Sequence, residues 1–168
     1  MKVTSNSRRE HFINIAGLIF WLGICYLTAW IGAQVSPGIG PSEWYESINK
    51  PGWNPPAWLF GPVWTILYTL MGIAAWIVWK NYRWPGANIA LVLFLIQLAL
   101  NGAWSWIFFG AQSPGWALIE ILFLLAAIVI TTKLFWQKSN LAGWMMVPYI
   151  LWVSFAAVLN GAIWWMNV

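Results

Sequence analysis

The residues of this chain best equipped for chemistry are indoles and amides set inside apolar runs. Trp64 and Trp152 each lie well within a long hydrophobic segment, Trp104 falls in the second half of another, and Trp116 opens the next. A tryptophan offers a flat π face for stacking and a single N–H donor. On the segment that carries Trp104, Gln97, Asn101 and Ser105 recur at i, i+4 and i+8, one face of a helix. Ser154 and Asn160 mark the last segment, and Glu120 is the one acid inside an apolar run. This set suits an aromatic box with a polar edge, built for a flat apolar ligand. It suits equally a packed core whose amides bond helix to helix. The residues alone leave both readings open. They also leave Glu120 open, as a partner for neighbouring polar groups or as a group that meets ligand or proton.

Other chemistries are excluded. There is no aspartate, and the one histidine, His11, stands at the edge of the first apolar segment. A Ser-His-Asp triad, a histidine zinc site, paired acidic catalysis and an internal histidine-ligated haem all lack their residues. The single cysteine, Cys25, rules out an internal disulfide or a cysteine metal cluster and reads as a small packing residue. Glycine-rich phosphate loops are missing. The net charge of +4 comes from eight scattered cations that form no basic stripe, so no nucleic-acid partner is expected.

The elements that must position these residues follow from composition. Of 168 residues, 61% are hydrophobic and 7% charged, against about 25% charged in a soluble domain. The chain reads as one domain (1–168) of an all-α integral membrane protein. Segments at about 12–35, 57–79, 87–109, 116–136 and 142–165 are each long enough to span, since about 20 residues cross the hydrocarbon core. The alternating pattern of a barrel strand is missing, so the spans are helices. The first run is too long for the core of a signal peptide, and Gly32-Ala33-Gln34 is a poor cleavage site.

Lys2, Arg8, Arg9, Lys80, Arg83, Lys133 and Lys138 fall on one side and only Lys50 on the other. The positive-inside rule then puts the N-terminus in the cytoplasm, most simply of a bacterial inner membrane; a mitochondrial outer membrane is the alternative. The external loop 36–56 includes Gly38, Pro41, Trp44, Tyr45, Lys50 and Trp53. It is long for a compact bundle and rich in aromatics, which predicts an ordered lid over the outer mouth. The other tryptophans near span ends, Trp76, Trp79, Trp84, Trp136, Trp144, Trp164 and Trp165, are expected to form interfacial belts.

At this point the chain resembles a known family, the tryptophan-rich sensory proteins and translocator proteins (TspO/MBR), also called peripheral-type benzodiazepine receptors. The resemblance rests on Trp44-Tyr45, Lys50-Pro51-Gly52-Trp53, Pro55-Pro56, Phe60-Gly61-Pro62-Val63-Trp64-Thr65, Leu67-Tyr68 and Met71-Gly72. It continues through Gln97 to Asn101, Trp104-Ser105, Phe108-Phe109-Gly110, Pro148-Tyr149 and Leu159-Asn160, in order along most of the chain. It implies a five-transmembrane-helix bundle, usually a homodimer, with the first external loop as lid over a ligand cavity. It also implies a porphyrin ligand, protoporphyrin IX or haem, with no required cofactor. By motif position the pocket residues would be Trp44, Tyr45, Trp64, Asn101, Trp104, Trp152, Phe155 and Ala156. Light-dependent porphyrin breakdown in some members implicates the tryptophans matching Trp64 and Trp152. Animal members carry a cholesterol-recognition segment on the last helix that needs a tyrosine followed by a basic residue. Here that region, Val158 to Trp165, has neither, which argues against cholesterol binding there.

Three functions are therefore carried forward: a porphyrin sensor, regulator or carrier; a light-dependent porphyrin-degrading enzyme; and a small-molecule or sterol transporter. Lys50 would steer ligand carboxylates, and Ala99-x-x-x-Ala103 would give a close-approach surface for the dimer.

Overall fold

In lipid a backbone must satisfy its own polar groups, so long apolar runs become helices. The computed structural model describes residues 3–37, 39–40, 43–81 and 85–168. Lys2, Gly38, Pro41, Arg83 and Trp84, named above, lie outside the described residues. The helices are α1 (Val3–Ala33), α2 (Glu43–Ser47), α3 (Ala57–Lys80), α4 (Ala87–Ser105), α5 (Pro114–Lys138) and α6 (Asn140–Met166). All but α2 are long and apolar enough to cross a membrane. Helix α1 begins well before its apolar run because Val3 to His11 contains no proline or glycine to stop it. Helix α5 starts at Pro114, a first-turn position where the missing N–H costs nothing.

The spanning helices close into a ring in the order α1, α3, α6, α5, α4. Small residues set the closest approaches. A Cβ on Gly17 would stand 2.0 Å from the Trp79 ring, and one on Gly72 would stand 2.8 Å from the Leu22 side chain. Between them α1 and α3 leave room for nothing larger. Phe94 of α4 stacks on Phe135 of α5 with centroids 5.7 Å apart, inside a core that also holds Met71, Ile128, Met146 and Tyr149. Trp79 and Trp136, part-exposed in the last turns of α3 and α5, also fill the space beside small residues. Trp79 covers Gly17, and Trp136 covers Gly143 and meets Trp144 edge-on. Trp144, Trp164 and Trp165 are exposed, in keeping with interfacial anchoring.

Two departures from regular geometry shape the covered end. Helix α4 passes at Trp106–Gly110 into a single π-helical turn, closed by Ala111 N–H on the Trp106 carbonyl at 2.7 Å. Such a turn inserts one residue and rotates the side chains that follow. Beyond it, Gln112 adopts φ 51°, the one positive φ at a non-glycine among the described residues. The second departure is α2, a five-residue helix inside the loop that was expected to be a lid.

Candidate functional site

The motif residues fall into three groups among α3, α4 and α6, and the rings of α2 rest directly on one of them. The centre is a hydrogen bond: the Tyr68 hydroxyl of α3 donates to Asn101 Oδ1 of α4, both residues buried. Trp64, one turn before Tyr68, lies tilted against it at 5.4 Å and edge-on to Tyr149 of α6 at 6.3 Å. The Tyr149 hydroxyl faces the same Asn101 amide without closing a hydrogen bond. Both Tyr149 and Trp64 follow a helical proline, Pro148 or Pro62. Each proline deprives the carbonyl four residues earlier of its N–H partner.

Trp104 lies on the other side of Asn101. It stacks on Phe108 at 5.0 Å and 23°, and its Nε1 donates to Asn160 Oδ1 at 3.1 Å. Asn160 Nδ2 then donates to the Pro114 carbonyl at 2.7 Å, so one amide ties α4, α5 and α6 together. The Trp104 indole N–H is thus committed to the protein and does not point at a ligand. Phe108, fully buried, is the floor on which α2 rests: Trp44 meets it at 5.7 Å and Tyr45 at 6.3 Å, while Tyr45 meets Phe109 at 5.4 Å. A third group runs Trp53, Phe155, Trp152 and Phe60, each ring 5.6 to 5.9 Å from the next. Ala156 packs half-buried on the main core beside Trp152. Among the described residues no ring pair joins Trp64 to Trp152 directly.

Sequence reasoning did not single out Tyr149, Phe108 or Phe109. Their signal was present only as motif fragments, because the π turn that aims the two phenylalanines under α2 leaves no mark in Trp-Ile-Phe-Phe-Gly. The ladder on α4 divides. Asn101 is engaged, whereas the Gln97 amide is buried with neither of its polar ends paired. Both Glu120 oxygens are also buried without a partner, as are Trp21 Nε1 and Thr131 Oγ1. Unpaired polar groups of this kind are few in most folded proteins. Here they line the bundle interior on α1, α4, α5 and α6.

Lys50 is not free to steer a ligand. Its ammonium donates to the carbonyls of Tyr45, of Ile48 at 2.9 Å and of Glu46 at 3.3 Å, and sits 4.8 Å over the Tyr45 ring. A cation placed on the last carbonyls of a helix caps it. Lys50→Gln should therefore speed amide exchange across α2 by roughly fivefold, the effect of about 1 kcal/mol. Unchanged exchange would mean the ammonium caps nothing. Burial raises the Tyr45 hydroxyl above the ordinary phenol range, and the bond to Asn54 Oδ1 at 3.2 Å draws it part of the way back. It stays protonated at neutral pH and keeps donating across the loop.

Two open grooves flank this end. One, of about 650 Å³, runs between Trp44, Ile48, Pro114, Trp116, Trp164 and Asn167; the other, of about 430 Å³, lies by Val35, Trp106 and Phe109. Of the motif-derived pocket residues only Trp44 lines either groove. Of the others only the Trp152 and Phe155 rings meet each other; Tyr45, Trp64, Asn101 and Trp104 pack or bond to residues outside that set.

Comparison with known proteins bears on the same residues. The family model described as TspO/MBR matches residues 19–166. A tryptophan-rich protein TspO of Chlorobaculum tepidum is 43% identical over 155 residues, 91% of this chain and 97% of the relative. The translocator protein of Homo sapiens is 41% identical over 140 residues, 82% of each chain. A tryptophan-rich sensory protein of Cereibacter sphaeroides is 37% identical over 142 residues, 83% of this chain and 88% of the relative.

Proposed function

The chain belongs to the TspO/MBR family, and on that footing we propose that it is a membrane receptor for porphyrins, sensing, regulating or carrying them. A porphyrin is a flat apolar ring with carboxylates on one edge. The reading is carried by one observation: Trp64, Tyr68, Tyr149 and Asn101 meet across three helices. Ring faces there suit the macrocycle, and the unpaired Tyr149 hydroxyl is a donor for a carboxylate. Opening the loop would exchange the contacts of Trp44, Tyr45 and Trp53 with protein rings for contacts with ligand. No cofactor is needed.

The test is quenching of tryptophan emission by titrated protoporphyrin IX, set against a sterol. Saturable quenching by porphyrin alone is expected. Equal quenching by the sterol, or none by porphyrin, would overturn the reading. A second reading, light-dependent porphyrin degradation, draws support from the Trp64–Tyr68 contact, an indole beside a hydrogen-bonded phenol suited to relaying an electron and a proton. It predicts loss of porphyrin absorbance under illumination that disappears in Trp64→Phe.

In this proposal Arg8, Arg9, Lys80, Lys133 and Lys138 mark the cytoplasmic end and Lys50 the outer one, in a bacterial inner membrane. The homodimer is proposed to form on the lipid-facing side of α4. Ala99 and Ala103 are exposed there beside Val92 and Ile96, with no large side chain between the two alanines on that stripe. Leucine at both alanines should shift the dimer to monomer by about tenfold in dissociation constant, read by cross-linking in detergent. An intact dimer would exclude this surface.

A further inference from the structure

We infer that Asn167 is the latch that holds the outer loop shut, and that its release is the step that opens the aromatic site. This rests on reading that end as a binding site. Helix α6 stops at Met166, and the next residue turns its side chain back over the helix end. Asn167 Oδ1 accepts the Asn49 N–H at 2.9 Å, and Nδ2 donates to the Asn49 carbonyl at 2.9 Å and to the Ile163 carbonyl at 2.7 Å. Asn49 Nδ2 adds a longer bond to the Met166 carbonyl at 3.4 Å. A side-chain amide is a peptide group in miniature, with an acceptor and two donors. Here it pairs with one backbone residue in both directions, as a neighbouring strand would.

The bond set is unusual for what surrounds it. Among the described residues, no other hydrogen bond ties residues 43–55 to a spanning helix. The rest of the loop is held by rings: Trp44 and Tyr45 on Phe108 and Phe109, and Trp53 on Phe155. Ring contacts lack strict direction, and a flat ligand can replace each as the loop lifts. The Asn49–Asn167 pair is exposed at the outer face, where water can take up its groups, but both short bonds between the two residues must part before the loop can lift. It also sits between the two aromatic anchors of the loop, so its release frees both. The same barrier stands before arrival and departure, so the latch sets the rates of binding and release and leaves the equilibrium constant nearly unchanged.

Amide exchange in nanodiscs tests the latch without any ligand. Asn167→Asp keeps the acceptor and loses both donors, while Asn167→Ala loses all three bonds. Both should speed exchange of residues 44–50 by about tenfold. Asn49→Ala keeps the backbone pair and gives up only the long bond, so it should stay within about twofold. Stopped-flow quenching by protoporphyrin IX should show association and dissociation rising together by about tenfold in the Asn167 variants, with the dissociation constant moving less than about threefold. Unchanged exchange in the Asn167 variants overturns the latch, and so does an Asn49→Ala effect as large as theirs. Faster exchange with unchanged rates overturns the gating role. Absence of quenching in the unaltered protein would sink the porphyrin reading, and the exchange measurement would still decide the latch.

Discussion

Phe108→Ala is expected to be the most damaging single truncation at the covered end, costing about 3 kcal/mol and releasing α2 from the bundle. Phe108 is 2% exposed and is the one ring that Trp44, Tyr45, Trp104 and Phe109 all touch. In lipid the gain from removing apolar surface from water is small, and bundles hold together largely by dispersion and fit. A cavity at Phe108 forfeits those contacts on four sides at once, because the π turn fixes the backbone and prevents collapse. Phe12, 74% exposed on α1, supplies the control, since acyl chains fill the space left by Phe12→Ala. Thermal unfolding in detergent should separate the two clearly. Phe108→Leu, which keeps most of the volume, should recover roughly half of the loss. If Phe108→Ala costs no more than Phe12→Ala, the ring is not the floor of the loop.

The particular residues explain what was legible beforehand. The five spans could be read directly, because an uninterrupted apolar run of this length has one way of satisfying its backbone in lipid. Trp64 and Asn101 could be marked as interior, because indole and amide groups deep in such runs must find company. What escaped depends on geometry that sequence encodes weakly. The π turn at Trp106–Gly110 has no residue signature, so the aim of Phe108 and Phe109 could not be foreseen. Lys50 looked like a steering charge because a lone cation invites that reading; only folding brings three carbonyls around it. Trp104 looked like a ligand donor until Asn160, 56 residues away in sequence, took its N–H. Asn167 is the extreme case, since its partner lies 118 residues earlier.

The polar centre gives the second large effect, and a double-mutant cycle reads it. Asn101→Leu removes the acceptor and strands the Tyr68 hydroxyl in a dry interior, at a cost of about 2 kcal/mol. Tyr68→Phe removes the donor at a smaller cost, about 1 kcal/mol, because the nearby Tyr149 hydroxyl can turn to the Asn101 amide in its place. The double variant leaves neither group stranded, so it should lose less than the sum of the singles by about 1 kcal/mol. Porphyrin affinity separates the roles further. If Asn101 meets the polar edge of the ligand, Asn101→Leu should weaken protoporphyrin IX binding by about tenfold or more. Tyr68→Phe should change it less, since the ring that stacks on Trp64 is kept. Strict additivity in stability would mean that the two groups do not act as a pair. Equal affinity losses would place the phenol hydroxyl, and not the amide alone, against the ligand.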